Sequence, residues 1–310
     1  MRIVFMGTPD FGVPVLERLI AGGHEVCAVY TQPDKPGGRG RKVSFSPVKK
    51  ASLGHGITVH QPSSLGSPAE VERLRSLSTE VIVVASFGQI LPQRVLKIPP
   101  LGCLNIHPSL LPRHRGPSPI AGAILAGDEE SGVTIMLMGR GLDTGPIIAQ
   151  ERMPVSPQDT TGLLSAKLAQ LGAGLLEETL PSWSSHELVP NPQDEERATY
   201  TRLISKEDGL IDWQMSAWEL ERRVRAFQPW PGCYTWWQGG HLKIKQAVPL
   251  PGGDGGPGGV VELHLNGIAF GVQTGDGILG IRQLQFEGKR AMGSEEFLRG
   301  HRGFIGTILP

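Results

Sequence analysis

Cysteine is scarce in this sequence: Cys27, Cys103 and Cys233 stand far apart and form no Cys-x-x-Cys pair. That excludes a disulfide framework and a cysteine zinc centre, and it makes a reducing compartment, the cytoplasm, the expected one. Net charge is lacking too. Thirty Lys and Arg stand against 30 Asp and Glu, so bulk attraction to nucleic acid or to an anionic membrane is not expected, and any such partner must meet a local patch. No apolar run approaches the roughly 20 residues of a membrane helix. Met1-Arg2-Ile3 leads straight into a strand pattern rather than a signal-peptide core. What is plentiful is Gly (42) and Pro (26), beside 39% hydrophobic and 19% charged residues. That composition describes a soluble globular protein with many turns, not a disordered or collagen-like chain. At about 150 residues per domain, two domains are expected.

Periodicity divides the chain. Residues 2–6 form an apolar run ended by Gly7. Thr8 is then expected to cap a helix with Pro9 in its first turn, with Phe11, Val15, Leu16, Leu19 and Ile20 on one face until Gly22-Gly23. A second run, 25–30, completes a βαβ unit and predicts a parallel, Rossmann-like sheet. The alternation continues as helix 68–77, strands 80–86 and 101–107, helix 117–126, strands 132–138 and 146–151, and helix 160–180, an α/β architecture for residues 1–185. Residues 186–204, polar and rich in Pro, read as a linker. Residues 205–310 carry one helix, 216–227, and short β-runs joined by Gly239-Gly240, Asn266-Gly267 and Asp276-Gly277, which predict a small antiparallel sheet or barrel.

Gly7-Thr8-Pro9-Asp10-Phe11-Gly12 sits where a dinucleotide fingerprint would, but Pro9 occupies the second glycine position and no acidic residue ends the second strand. A tight strand-to-helix turn is the better reading. The richest segment is Leu101–Gly116. Asn105 and His107, two apart on a strand, face one side at its carboxyl end, where ligands of open α/β sheets gather. Asn offers an amide donor and His a group that titrates near neutrality, the needs of a developing oxyanion and a proton transfer, although a strand end with a polar turn fits the same residues. Asp143 lies in the glycine-rich loop 139–145 after an apolar strand and could approach His107 or be only a turn residue. Ser109–Pro112 offers a turn with two leucines. Residues 31–50 hold six basic side chains (Lys35, Arg39, Arg41, Lys42, Lys49, Lys50) against Asp34 alone, suited to phosphates or to a solvated loop. A smaller basic set, Arg222, Arg223 and Arg225, lies near Trp230, Trp236 and Trp237, for which core packing is the default.

Asn105-Ile106-His107-Pro108-Ser109-Leu110-Leu111-Pro112, with Arg115-Gly116 and then Gly141-Leu142-Asp143-Thr144-Gly145, resembles the signature of the 10-formyltetrahydrofolate-dependent formyltransferases. Phe5 to Phe11, the loop from Gln32 to Gly40, and Arg225-Ala226-Phe227 with Pro229-Trp230-Pro231-Gly232 resemble the members that act on initiator methionyl-tRNA. The resemblance implies a Rossmann-like domain holding the folate, and a C-terminal OB-like barrel helping to hold the tRNA. It implies Asn105, His107 and Asp143 as a catalytic trio. Ser109, Leu110, Leu111 and Pro112 would line the folate site, bordered by Phe87, Gly88, Gln89, Ile90 and Leu91. Lys35, Arg39, Arg41 and Lys42 would meet the acceptor end of the tRNA. The co-substrate implied is 10-formyltetrahydrofolate, without a metal or a membrane, in a monomer. The chain departs from the usual pattern at His114 (an aromatic Tyr), at Pro117 and Ser118 (two alanines), and at Gly139 and Arg140 (an acidic residue). An amino-sugar-nucleotide acceptor or hydrolysis by water would need neither a basic arm nor a second binding domain, and an NAD-linked oxidoreductase fails on its fingerprint.

Overall fold

A computed structural model describes residues 1–37 and 42–310. Its elements are β1 (Arg2–Gly7), α1 (Gly12–Ala21), β2 (Glu25–Tyr30), β3 (Lys35–Gly37), β4 (Lys42–Ser44), α2 (Pro47–Gly54), β5 (Val59–His60), α3 (Pro68–Ser76), β6 (Val81–Ala85), α4 (Gln93–Leu96), β7 (Cys103–His107), α5 (Pro119–Ala126), β8 (Glu130–Leu137), β9 (Ile147–Pro154) and α6 (Thr161–Ser184). These are followed by α7 (Ala217–Ala226), β10 (Cys233–Trp237), β11 (Gly240–Leu250), β12 (Val260–Leu265), β13 (Ile268–Gln273), β14 (Ile278–Phe286), β15 (Met292–Gly293) and α8 (Ser294–Gly300). Contacts group residues 1–119, 130–154 and 164–201 into one compact unit, and 120–129, 155–163 and 202–310 into another. Most of the stretch read as a linker therefore belongs to the first unit. Asn191 exchanges backbone hydrogen bonds of 2.7 and 2.8 Å with Ile147, and such backbone pairing leaves no mark in side-chain polarity.

The first unit is built on a seven-stranded sheet ordered β5-β2-β1-β6-β7-β8-β9. Strands β5, β2, β1, β6 and β7 are parallel, and β8 and β9 continue antiparallel. All of β6, Val-Ile-Val-Val-Ala, is buried, as a central strand covered on both faces must be. On one face Val4, Met6, Tyr30, Leu74, Val84 and Phe87 share a core. Helix α6 comes close to the sheet at Gly172, where a Cβ would lie 2.7 Å from Ile106. Helix α1 buries Val15, Leu16 and Leu19, each worth roughly 1.5–3 kcal/mol relative to exposure. Its N-cap is Phe11 rather than Thr8. The Thr8 hydroxyl instead donates to the Phe87 carbonyl (2.9 Å) and accepts from Gln32 N (3.2 Å), tying together the ends of β1, β2 and β6. Gly7 allows tight packing, since a Cβ there would lie 2.8 Å from the Phe5 ring and 2.9 Å from Ala85 O. Helix α2, which periodicity did not reveal, starts at Ser46, whose hydroxyl accepts from Lys49 N, with Pro47 in the first turn.

Strand order reverses direction between β1 and β6. There the carboxyl ends of β1, β2 and β6 surround a cleft of about 630 Å³, lined among others by Thr8, Gln32, Phe45, Ser86 and Gly88, the position where open α/β sheets bind ligands.

The second unit carries an antiparallel sheet ordered β10-β11-β14-β13-β12, with β15 beside β14. Its core is aromatic. Phe304 meets Trp237 and Phe270 edge to face at 5.0 and 4.9 Å. A capping box between Ser216 and Glu219 starts α7. Of the tryptophans expected in the core, Trp237 is buried, while Trp230 and Trp236 are exposed. Two basic residues of α7 are held internally: Arg225 pairs with Glu221, and Arg223 donates to Asp208 O at 2.7 Å. The fold class follows the expectation, a mostly parallel α/β sheet followed by an antiparallel β unit.

Candidate active site

Strand β7 places Asn105 and His107 on one face, with Asn105 level with Val84 of β6 and His107 level with Thr134 of β8. The His107 side chain is almost fully buried. Its Nε2 lies 3.1 Å from the main-chain oxygen of His114. A carbonyl only accepts, so Nε2 carries the hydrogen, and in the neutral ring Nδ1 is left as an acceptor. Nδ1 is 3.7 Å from Asp143 Oδ2. Burial pushes the His107 pKa below its ordinary value, and the opposing pull of the Asp143 carboxylate is smaller. Burial therefore favours the neutral imidazole.

This has a consequence for stability. A histidine whose folded pKa is depressed contributes stability that is complete above its unfolded pKa of about 6.5 and is lost as pH falls from there through the folded value. Thermal unfolding of the wild-type chain and of His107→Gln should differ by a constant margin above pH 7. The margin should move against the wild type as pH falls below about 6; parallel curves down to pH 5 would contradict a buried neutral ring.

Asp143 reaches this pair by a different route from the one its sequence position implied. Because β8 runs antiparallel to β7, its carboxyl end is level with Leu104, not His107, and the loop after it must fold back. The turn holds Asp143 at a positive φ of 53°, which Asp tolerates better than most residues. Gly145 lies against Leu137 O with no room for a Cβ. Gly116 N donates to Asp143 Oδ2 at 2.8 Å, and Asn105 Nδ2 donates to Oδ1 across a long 3.5 Å. Amide, imidazole and carboxylate thus meet at one point.

The turn 109–112 is locked by its backbone. Leu111 N donates to Thr134 Oγ1 (3.1 Å), Thr134 Oγ1 donates to Ser109 O (2.6 Å), and Gln150 Nε2 donates to Leu111 O (2.8 Å). Ser109 and Leu111 are buried, and Leu110 and Pro112 are half-buried. In the loop after β6, Ser86 and Gly88 adopt positive φ values of 52° and 82°. Phe87 and Leu91 are buried, Ile90 is exposed, and Gln89 donates to Pro62 O at 2.9 Å. Lys35 and Lys42 sit on the antiparallel pair β3 and β4, with Lys42 opposite Gly37; Arg39 and Arg41 lie outside the described residues. Lys49 is committed internally, to Asp34 and to Gln61 Oε1 at 2.6 Å.

Two further residues complete the surroundings, of which the motifs include Arg115 but not Gln193. Gln193, from the stretch read as a linker, donates through Nε2 to Asp143 O (2.8 Å) and Gly145 O (2.6 Å). Arg115, fully buried, bonds Gln193, Glu195 and Tyr200. Among the described residues no group of His, Cys, Asp or Glu is arranged to hold a metal ion, and no helix is long and apolar enough to cross a membrane.

For a chain with a Rossmann-like sheet, an Asn, His and Asp cluster and a second β unit, comparison with known proteins gives the family. Residues 1–180 match the family described as formyl transferase, and residues 203–302 match the formyl transferase C-terminal domain. The chain belongs to the formyl transferase family. It is 48% identical over 301 residues to the methionyl-tRNA formyltransferase of Chloroflexus aurantiacus, covering 97% of each chain. To that of Caldanaerobacter subterraneus subsp. tengcongensis it is 47% identical over 311 residues, covering the whole of both. Among solved structures, the fold matches HypX from Aquifex aeolicus in complex with tetrahydrofolic acid at a TM-score of 0.65 and 20% identity, over 98% of this chain and 48% of that one.

Proposed function

We propose that the chain transfers the formyl group of 10-formyltetrahydrofolate to the α-amino group of methionine on initiator methionyl-tRNA, giving N-formylmethionyl-tRNA for translation initiation. The observation that carries this is the meeting of the Asn105 amide, the His107 imidazole and the Asp143 carboxylate in a chain nearly half identical, end to end, to relatives named for that reaction.

The amine nitrogen attacks the formyl carbon, and the carbonyl electron pair moves onto oxygen. Asn105 Nδ2 is the donor aimed at that oxyanion. The amine must also lose a proton. Nδ1 of His107 and Oδ2 of Asp143, two acceptors 3.7 Å apart, share it, so the imidazole becomes cationic as the oxyanion forms and stabilises it. Collapse breaks the bond between the formyl carbon and N10, and the shared proton passes to N10. Ser109 to Pro112 and Phe87 to Leu91 border the folate, and the backbone groups of Leu111 are already engaged within the fold. Lys35, Arg39, Arg41 and Lys42 contact the acceptor end of the tRNA, and the second unit holds the tRNA body. The enzyme acts as a monomer in the cytoplasm.

The test offers the purified chain 10-formyltetrahydrofolate with methionyl-tRNA, an amino-sugar nucleotide and water as competing acceptors. Formyl-methionine on tRNA is the expected product. Formyl transfer to the sugar, or free formate alone, would overturn the assignment.

A further inference from the structure

We propose that residues 191–201 form a strap that sets the geometry of the reacting groups, with Gln193 and Thr199 as positioning residues for Asp143 and His107. The proposal rests on the formyl-transfer reading above and adds to it a segment outside every motif that pointed to the site.

One end of the strap acts on His107 through a single peptide. The carbonyl of His114 accepts from His107 Nε2, and the N–H of the same peptide unit, on Arg115, donates to Thr199 O at 2.8 Å. A peptide is planar, so holding the N–H side fixes the direction of the carbonyl, and with it the ring and the tautomer of His107. Three more bonds hold that peptide in place. Thr199 Oγ1 accepts from His114 N (2.8 Å), Thr199 N donates to Pro112 O (3.2 Å), and Thr201 N donates to Arg115 O (2.7 Å). His114 sits at a positive φ of 56°, a conformation a non-glycine residue keeps only when its surroundings impose it.

The other end acts on Asp143. The Gln193 side chain uses its whole amide: Nε2 donates to Asp143 O and Gly145 O, and Oε1 accepts from Arg115 Nε (3.0 Å) and Nη2 (2.9 Å). The guanidinium of Arg115 then closes on Glu195 at 2.7 and 2.8 Å. The strap therefore grips both halves of the separation between His107 Nδ1 and Asp143 Oδ2, and relaxing either end changes it. A misplacement on the order of 1 Å is enough to cost about 100-fold in rate.

Three substitutions test this. Gln193→Glu keeps the size and the acceptors for Arg115 but sets a carboxylate against two carbonyls. Thr199→Val removes the acceptor for His114 N, and Thr199→Ser restores it. Gln193→Glu and Thr199→Val should each lower kcat by about 10- to 100-fold with KM for both substrates little changed, and Thr199→Ser should recover most of the loss. In the same proteins, ¹⁵N resonances of the His107 ring should report the Nε2–H tautomer in the wild type and Thr199→Ser, and a mixture in Thr199→Val. If Gln193→Glu does not fold, the Thr199 pair carries the test alone. A drop in melting temperature with kcat per folded molecule unchanged in the folded variants, and the ring resonances unmoved, would overturn the strap and leave 191–201 as structural. A wild-type chain that forms no formyl-methionine would overturn the reaction instead, and the ring resonances would then decide the strap by themselves.

Discussion

Replacing Asn105, His107 or Asp143 with alanine is expected to lower kcat by about 100- to 10,000-fold while leaving a folded protein. The three losses have different origins. Asn105→Ala removes the donor aimed at the oxyanion, a term worth about 100- to 1,000-fold in a dry site. His107→Ala removes the cation that forms as negative charge develops, and it leaves the His114 carbonyl without its donor. Asp143→Ala removes an acceptor for the amine proton and frees the Gly116 amide. On the proposed mechanism the three act as a unit, so the double and triple variants should be little slower than the worst single one. Steady-state turnover, with circular dichroism to establish folding, measures this; additive losses or near-normal turnover in any single variant would remove that residue from the unit.

The second large effect is on tRNA affinity. With equal numbers of acidic and basic residues, the chain has no bulk attraction for RNA, so the contacts proposed for Lys35, Arg39, Arg41 and Lys42 should dominate the salt dependence. Neutralising Arg39, Arg41 and Lys42 together as glutamines should weaken tRNA binding at low salt and reduce the slope of log affinity against log salt by about 2 to 3, roughly one per lost phosphate contact. Turnover at saturating tRNA should change far less. Lys49 is a useful control, because its ammonium is occupied by Asp34 and Gln61: a substitution there should barely alter the slope. Filter binding across a salt series reads both, and an unchanged slope in the triple variant would show that this stretch does not meet phosphates.

Much of the molecule was legible in its sequence because it rests on side-chain pattern. The apolar alternation of β1, α1 and β2, the buried run of β6, and the two-residue spacing of Asn105 and His107 all follow from which side chains must be covered. Much of what the sequence hid is carried by main-chain groups. The departure at His114 leaves its contact with His107 intact, because His114 serves His107 through its carbonyl, which any residue supplies. Ser118 likewise takes part through its N–H, bonded to Thr201 Oγ1 at 3.1 Å. The polar run 186–204 read as a linker because the partners that tie it to the site are backbone groups and one buried arginine, neither visible as periodicity. Thr8 has the character of a helix cap and is used to join three strand ends instead, since competing hydrogen bonds lie closer in the fold than in the chain. The fold-back that delivers Asp143 depends on β8 running antiparallel, a choice that apolar content cannot dictate.

Transfer of labelled formyl from 10-formyltetrahydrofolate to methionyl-tRNA in a single turnover, with wild-type and His107→Ala protein at saturating substrates, bears most directly on the chemistry assigned to this site. The wild type should place the label on the methionine nitrogen, and His107→Ala should do so at least about 100-fold more slowly. Label recovered as formate, or equal rates in the two proteins, would contradict it.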